Sequence, residues 1–299
     1  MGPFHPFTPH GRHTCPRDAP ACFSNCLRGP GCLGCAHPAT FPFRSMRYFN
    51  SDGVSIAYID VPPHEGEGDP ILLIHGFASN HAVNWVNTLW VKTLTRAGYR
   101  VVAFDNRGHG QSEKLYEPEA YDSYKMAEDG RRLLDHLGIE RADVMGYSMG
   151  ARITAHMALA SPDRMRSVLL GGLGSHLVEG VGLPLGIADA MEARSLDDLT
   201  DPMQRMFRAF ADQNGSDLHA LAACIRGSRQ VLTKAEVASI TLPTLVSVGT
   251  ADDVSGSGPD LAALMPNATA LDIPGRDHNL AVGDKVHKQG VLDFLAHRP

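Results

Sequence analysis

Val144-Met145-Gly146-Tyr147-Ser148-Met149-Gly150 decides how this chain is read. Val144 and Met145 end an apolar run. Ala151 to Ala160 (ARITAHMALA) is Ala-rich and favours helix, and Ser161-Pro162 punctuates its end. Strand, sharp turn and helix therefore meet at G-x-S-x-G. A serine on so tight a turn takes a strained backbone, and small residues at 146 and 150 let strand and helix pass close beside it. Its hydroxyl is pushed up at the end of a sheet, and the N–H of Met149 points to where a carbonyl oxygen would become an oxyanion.

The flanking sequence alternates strand with helix. On the N-terminal side, Ile71-Leu72-Leu73-Ile74 is wholly apolar, as expected of a strand buried on both faces. It runs into His75-Gly76-Phe77. A helix is predicted over Trp85 to Ala97, closed by Gly98. The next strand, Tyr99 to Phe104, runs into Asp105-Asn106-Arg107-Gly108-His109-Gly110-Gln111-Ser112, and Tyr121 to Leu137 reads as a helix before Gly138. Earlier still, Met46 to Phe49 and Val54 to Ile59 flank Asn50-Ser51-Asp52-Gly53, a hairpin turn signal. On the C-terminal side, Arg166 to Gly172 and Leu242 to Gly249 are apolar strands. Ala268 to Ile273 is a last strand, and Val282 to His297 a closing helix. The pattern predicts an α/β fold, a mostly parallel twisted sheet with helices on both faces.

His75-Gly76-Phe77, Asp105-x-Arg107-Gly108-x-Gly110-x-Ser112 and Gly146-x-Ser148-x-Gly150 each follow an apolar strand. Their order and spacing resemble the α/β-hydrolase superfamily over residues 46–299. The resemblance implies a triad in the order Ser, acid, His. Ser148 takes the nucleophile's place. The family's G-x-x-D pattern in Gly249-Thr250-Ala251-Asp252-Asp253 puts the acid at Asp252, with Asp253 as its competitor. His278, in the turn after the last strand, takes the base's place. Backbone N–H groups of Phe77 and Met149 would form the oxyanion hole. His75 would brace that loop, and Arg107 and His109 would pin the Asp105 loop. Residues 175–235, helix-prone and amphipathic with Met191, Met203, Met206, Phe207, Phe210 and Leu218, resemble the family's helical cap insert.

The resemblance implies a serine hydrolase cleaving a carboxylic ester or lactone of a small molecule through an acyl-enzyme on Ser148. C–C bond hydrolysis and cofactor-free perhydrolysis use the same triad and stay open, as does a non-catalytic ligand-binding member. Arg194, Arg205 and Arg208 could serve a C–C hydrolase or simply face solvent. Epoxide hydrolase and dehalogenase relatives carry Asp at the nucleophile position, so Ser148 argues against their chemistry. No metal or organic cofactor is expected.

Composition bounds the rest. With 43% hydrophobic and 20% charged residues, the 299-residue chain can bury a sizeable core. A net charge of −6 without a long basic run argues against nucleic acid as partner. No apolar run is long enough to span a membrane, and no secretory h-region opens the chain, so cytoplasm is the expected compartment. Residues 1–45 stand apart. They hold five of the six cysteines (Cys15, Cys22, Cys26, Cys32 and Cys35) and few aliphatic residues. A disordered extension is expected. Metal ligation by these cysteines with His37 is the alternative, and Met46 is a candidate start.

Overall fold

A computed structural model describes residues 46–180 and 182–298. The expectations for residues 1–45, including the cysteine ligands, fall outside the described residues.

The chain opens as a hairpin, β1 (Arg47–Ser51) and β2 (Val54–Val61). Ser51 pairs with Val54, so Asp52 and Gly53 alone make the turn. Their φ angles are 53° and 88°, the positive values that a twisted two-residue hairpin turn requires. Then come β3 (Pro70–Ile74), α1 (Trp90–Arg96), β4 (Arg100–Phe104), α2 (Ser123–His136), β5 (Ala142–Tyr147), α3 (Met149–Ala160) and β6 (Met165–Gly171). Five helices follow: α4 (His176–Glu179), α5 (Gly186–Glu192), α6 (Pro202–Gln213), α7 (Leu218–Gly227) and α8 (Lys234–Ala238). The chain returns to the sheet with β7 (Thr244–Gly249), α9 (Gly258–Ala262), β8 (Ala268–Ile273), α10 (His278–Ala281) and α11 (Lys285–His297).

All eight strands form one sheet in the order β1-β2-β4-β3-β5-β6-β7-β8. The β1–β2 and β2–β4 pairings are antiparallel, and every other pairing is parallel. The apolar strands serve two faces at once. Leu72, Ile74, Val102, Phe104 and Val144 pack with α2 and α3. Ile71, Leu73, Val101, Ala103 and Met145 pack with α1 and α11. Alternate side chains point to opposite faces of a strand, so burial on both faces demands an unbroken apolar run.

One element departs from its prediction. The helix over Trp85 to Ala97 is split into a π-helical turn, Ala82–Val86, and α1. Leu89 breaks it with φ 68°. Trp85 and Trp90 explain the break. Five positions apart, they would diverge by about 140° on a straight helix. With the break, both are fully buried and meet edge to face, their ring centroids 6.4 Å apart. The indole of Trp90 also donates to Val282 O at 2.7 Å.

Among the described residues, no helix is long and apolar enough to cross a membrane.

Candidate active site

Ser148 sits at the β5–α3 junction with φ 55° and ψ −117°, a conformation that costs roughly 1–3 kcal/mol. Its neighbours make the turn possible. A Cβ on Gly146 would collide with the Gly150 carbonyl, and a Cβ on Gly150 with that of Ile74. The Ser148 N–H donates to Gly171 O at 2.8 Å, and the Ser148 carbonyl accepts from Ala151 and Arg152.

His278 is held from both sides of its own backbone. Asp277 caps α10 by accepting from the N–H groups of Asn279 and Leu280, and the Tyr147 hydroxyl donates to His278 O at 2.6 Å. The ring then bridges two groups. Nε2 lies 2.9 Å from Ser148 Oγ, and Nδ1 lies 2.9 Å from Asp252 Oδ2. A carboxylate only accepts, so Nδ1 carries the hydrogen. Nε2 is left with its lone pair toward the hydroxyl.

Asp252 is fully buried at its side chain. Burial is the largest influence on it and would raise its pKa. The hydrogen bond and charge of His278 oppose this, with help from the Ser255 hydroxyl and the Val254 N–H. Together they hold the carboxyl below its ordinary range. Ser255 Oγ donates to Asp252 Oδ2 at 2.6 Å and lies 3.3 Å from His278 Nδ1. Of the two sequence candidates, Asp252 is the one that meets His278. Asp253 borders the cavity instead.

The His75-Gly76-Phe77 loop runs alongside the serine. A Cβ on Gly76 would sit only 3.3 Å from Ser148 Cβ. Among the described residues no protein acceptor engages the N–H of Phe77 or of Met149. Both residues line the same cavity as Ser148. His75 braces this loop as a neutral ring. Its Nε2 accepts from the Asn106 N–H at 2.9 Å, so Nδ1 carries the hydrogen and donates to Gly76 O at 2.7 Å. Burial, against the pull of Asp105, lowers its pKa to about 4.

The Asp105 loop is pinned by its own side chains. Arg107 donates to both carboxylate oxygens of Asp129 at 2.8 Å and to Ala120 O at 2.7 Å. His109 is buried, with Nδ1 bonded to Arg107 O at 3.0 Å. Its ring packs against His75 and Phe77.

A cavity of about 350 Å³ opens on Ser148. Phe77 and Met149 bound it on the sheet side. Met203 and Ile225 bound it from the helices between β6 and β7. Two charged wall residues, Arg152 and Arg229, were not anticipated from sequence, nor was Ser255. One signal existed for Arg152. It is the one arginine in a mainly apolar helix, four residues beyond the serine. Arg205 and Arg208 point elsewhere. Arg205 donates to Leu196 O and Leu199 O, and buried Arg208 pairs with Asp212. Among the described residues no group of three or more His, Cys, Asp or Glu side chains is placed to hold a metal.

Comparison with known proteins agrees with this geometry. The model of the alpha/beta hydrolase fold family matches residues 69–181. Non-heme chloroperoxidase CPO-A1 of Kitasatospora aureofaciens is 28% identical over 82% of this chain and 97% of its own length. Epoxide hydrolase B of Mycobacterium tuberculosis is 34% identical over 41% of this chain and 34% of its own. A hydrolase from Pseudomonas aeruginosa PA01 superposes with a TM-score of 0.69 at 26% identity, covering 84% of this chain and 98% of that one. The chain has the α/β-hydrolase fold, and the family model's match spans the segment that holds Ser148.

Proposed function

We propose that the protein is a serine hydrolase that cleaves a carboxylic ester or lactone of a small molecule, with Ser148, His278 and Asp252 as its triad. The observation that carries this is the line of hydrogen bonds from Ser148 Oγ through His278 to Asp252, 2.9 Å at each step.

A serine hydroxyl is a poor nucleophile until a base takes its proton. In this reading His278 Nε2 takes it as Ser148 Oγ attacks the substrate carbonyl. The tetrahedral oxyanion accepts from the N–H groups of Phe77 and Met149. Each such donor is worth about 10²–10³ in rate. His278, now a cation steadied by Asp252, passes its proton to the leaving alcohol, and the acyl-enzyme remains. Water then gives its proton to His278 and attacks the acyl carbon, releasing the acid and restoring Ser148.

The test is steady-state hydrolysis of short acyl esters and lactones by wild type and Ser148→Ala. The variant is expected to lose activity by about 10⁶-fold. Equal turnover by both would refute the role of Ser148.

The chloroperoxidase resemblance favours one second reading, in which hydrogen peroxide replaces water at the acyl-enzyme and a peracid leaves. Peroxide-dependent bromination in acetate buffer, faster than ester hydrolysis, would select it.

A further inference from the structure

Three arginines are buried among the described residues: Arg107, Arg152 and Arg208. Two of them are neutralised. Arg107 holds Asp129, and Arg208 holds Asp212. Arg152 has no such partner. Its terminal nitrogens donate to His176 O at 2.9 Å and Leu177 O at 3.3 Å. A second arginine, Arg229, borders the same cavity and donates to Leu183 O. Among the described residues no carboxylate lies within 4.0 Å of either guanidinium.

Carbonyls satisfy donors but do not cancel charge. A guanidinium carries five N–H donors. The bonds above use two on Arg152 and one on Arg229, which leaves donors on both. Burial, and then the charge of Arg229, pulls Arg152 down to about 10, and burial lowers Arg229 too. An uncompensated buried charge is unfavourable, and two that repel each other are more so. Both stand in the wall of the cavity that opens on Ser148. Two acids, Glu179 and Asp253, also border that cavity. Glu179 is held by the Ser175 hydroxyl at 2.9 Å, and neither acid forms an ion pair with an arginine.

We infer that the substrate carries a carboxylate, bound by Arg152 and Arg229, at the end remote from the carbonyl that Ser148 attacks. The inference rests on the hydrolase reading and names its substrate class: half-esters of dicarboxylic acids, esters of hydroxy acids, or lactones bearing a carboxylate. Arginine suits this anion because its planar fork can meet both carboxylate oxygens. The stem between the two functional groups is short and apolar. Arg152 follows Ser148 by four residues, in the first turn of the helix that starts at the elbow. Met149, Leu173, Leu183, Met203 and Ile225 line the cavity that Ser148 and both arginines share.

The experiment compares anionic esters with neutral ones of matched length. One pair is the mono-para-nitrophenyl half-ester of adipic acid against para-nitrophenyl hexanoate. The other is the acetyl ester of ω-hydroxypentanoate against pentyl acetate. Wild type is expected to prefer the anionic member of at least one pair by about ten-fold or more in kcat/KM. Arg229→Gln and Arg152→Met should each bring that ratio toward one, and a ratio is insensitive to any general loss in the variant. Arg229 is only half-buried, so Arg229→Gln keeps the test open if Arg152→Met fails to fold. Turnover of the neutral esters with no anionic preference in either pair overturns the inference and leaves the hydrolase reading standing. So does a preference that survives both substitutions. No turnover of any ester by folded protein, with no fluorophosphonate adduct on Ser148, refutes the hydrolase reading, and the inference falls with it.

Discussion

Two imidazole–carboxylate pairs in this protein are built from the same parts. His278 meets Asp252 at 2.9 Å, and His81 meets Asp105 at 2.7 Å. Both carboxylates are buried. In both, burial would raise the carboxyl pKa, and the histidine together with the other donors outweighs it, holding Asp105 at about 2. They differ in what else each group touches. The second nitrogen of His278 faces the Ser148 hydroxyl in an open cavity. Each carboxylate also accepts two backbone N–H groups, Asp252 those of Val254 and Ser255 and Asp105 those of His81 and Gln111, but no hydroxyl stands on the other ring nitrogen of His81 among the described residues. The 81–105 pair ties two loops together. A short His–carboxylate distance therefore does not identify chemistry. The group on the far nitrogen does.

Substitution should separate the pairs. Asp252→Asn removes the acceptor that fixes the His278 tautomer and is expected to lower kcat by about 10⁴-fold in protein that calorimetry shows to be folded. Ester kinetics beside calorimetry would show it. A kcat within about ten-fold of wild type would make Asp252 as structural as Asp105.

Asp105→Asn should cost stability with little loss of catalysis. It leaves buried donors facing an amide and is expected to remove about 3 kcal/mol or more of stability, read from denaturant unfolding. Its kcat should fall far less than that of Asp252→Asn. A stable but inactive variant would erase the distinction between the two pairs.

Ser255→Ala probes the finest difference, a hydroxyl on Asp252 that the Asp105 pair lacks. Losing one hydrogen bond of about 1 kcal/mol to the carboxylate predicts a several-fold fall in kcat. An unchanged kcat would confine Ser255 to holding the loop.

Much of the fold was legible in the sequence, for a physical reason. Strands buried on two faces must be apolar throughout, so Ile71–Ile74 and Val101–Phe104 announce themselves. Gly146 and Gly150 are equally legible, since any side chain there would strike backbone. Other features depend on tertiary contacts. The broken helix at Leu89 follows from where two tryptophans find a core. Ser255 is one loop serine among several until the fold brings it to Asp252. Arg152 and Arg229 lie 77 positions apart in the chain and meet only across the cavity wall.

The proposed chemistry stands on the activation of Ser148 by His278. Fluorophosphonate labelling of wild type and His278→Ala, located by peptide mass spectrometry, tests it without any need to know the substrate. One adduct is expected, on Ser148, with labelling slowed by about 10²–10⁴-fold in the variant. Folded wild-type protein that takes no adduct on Ser148, or an adduct that forms equally fast without His278, would contradict it.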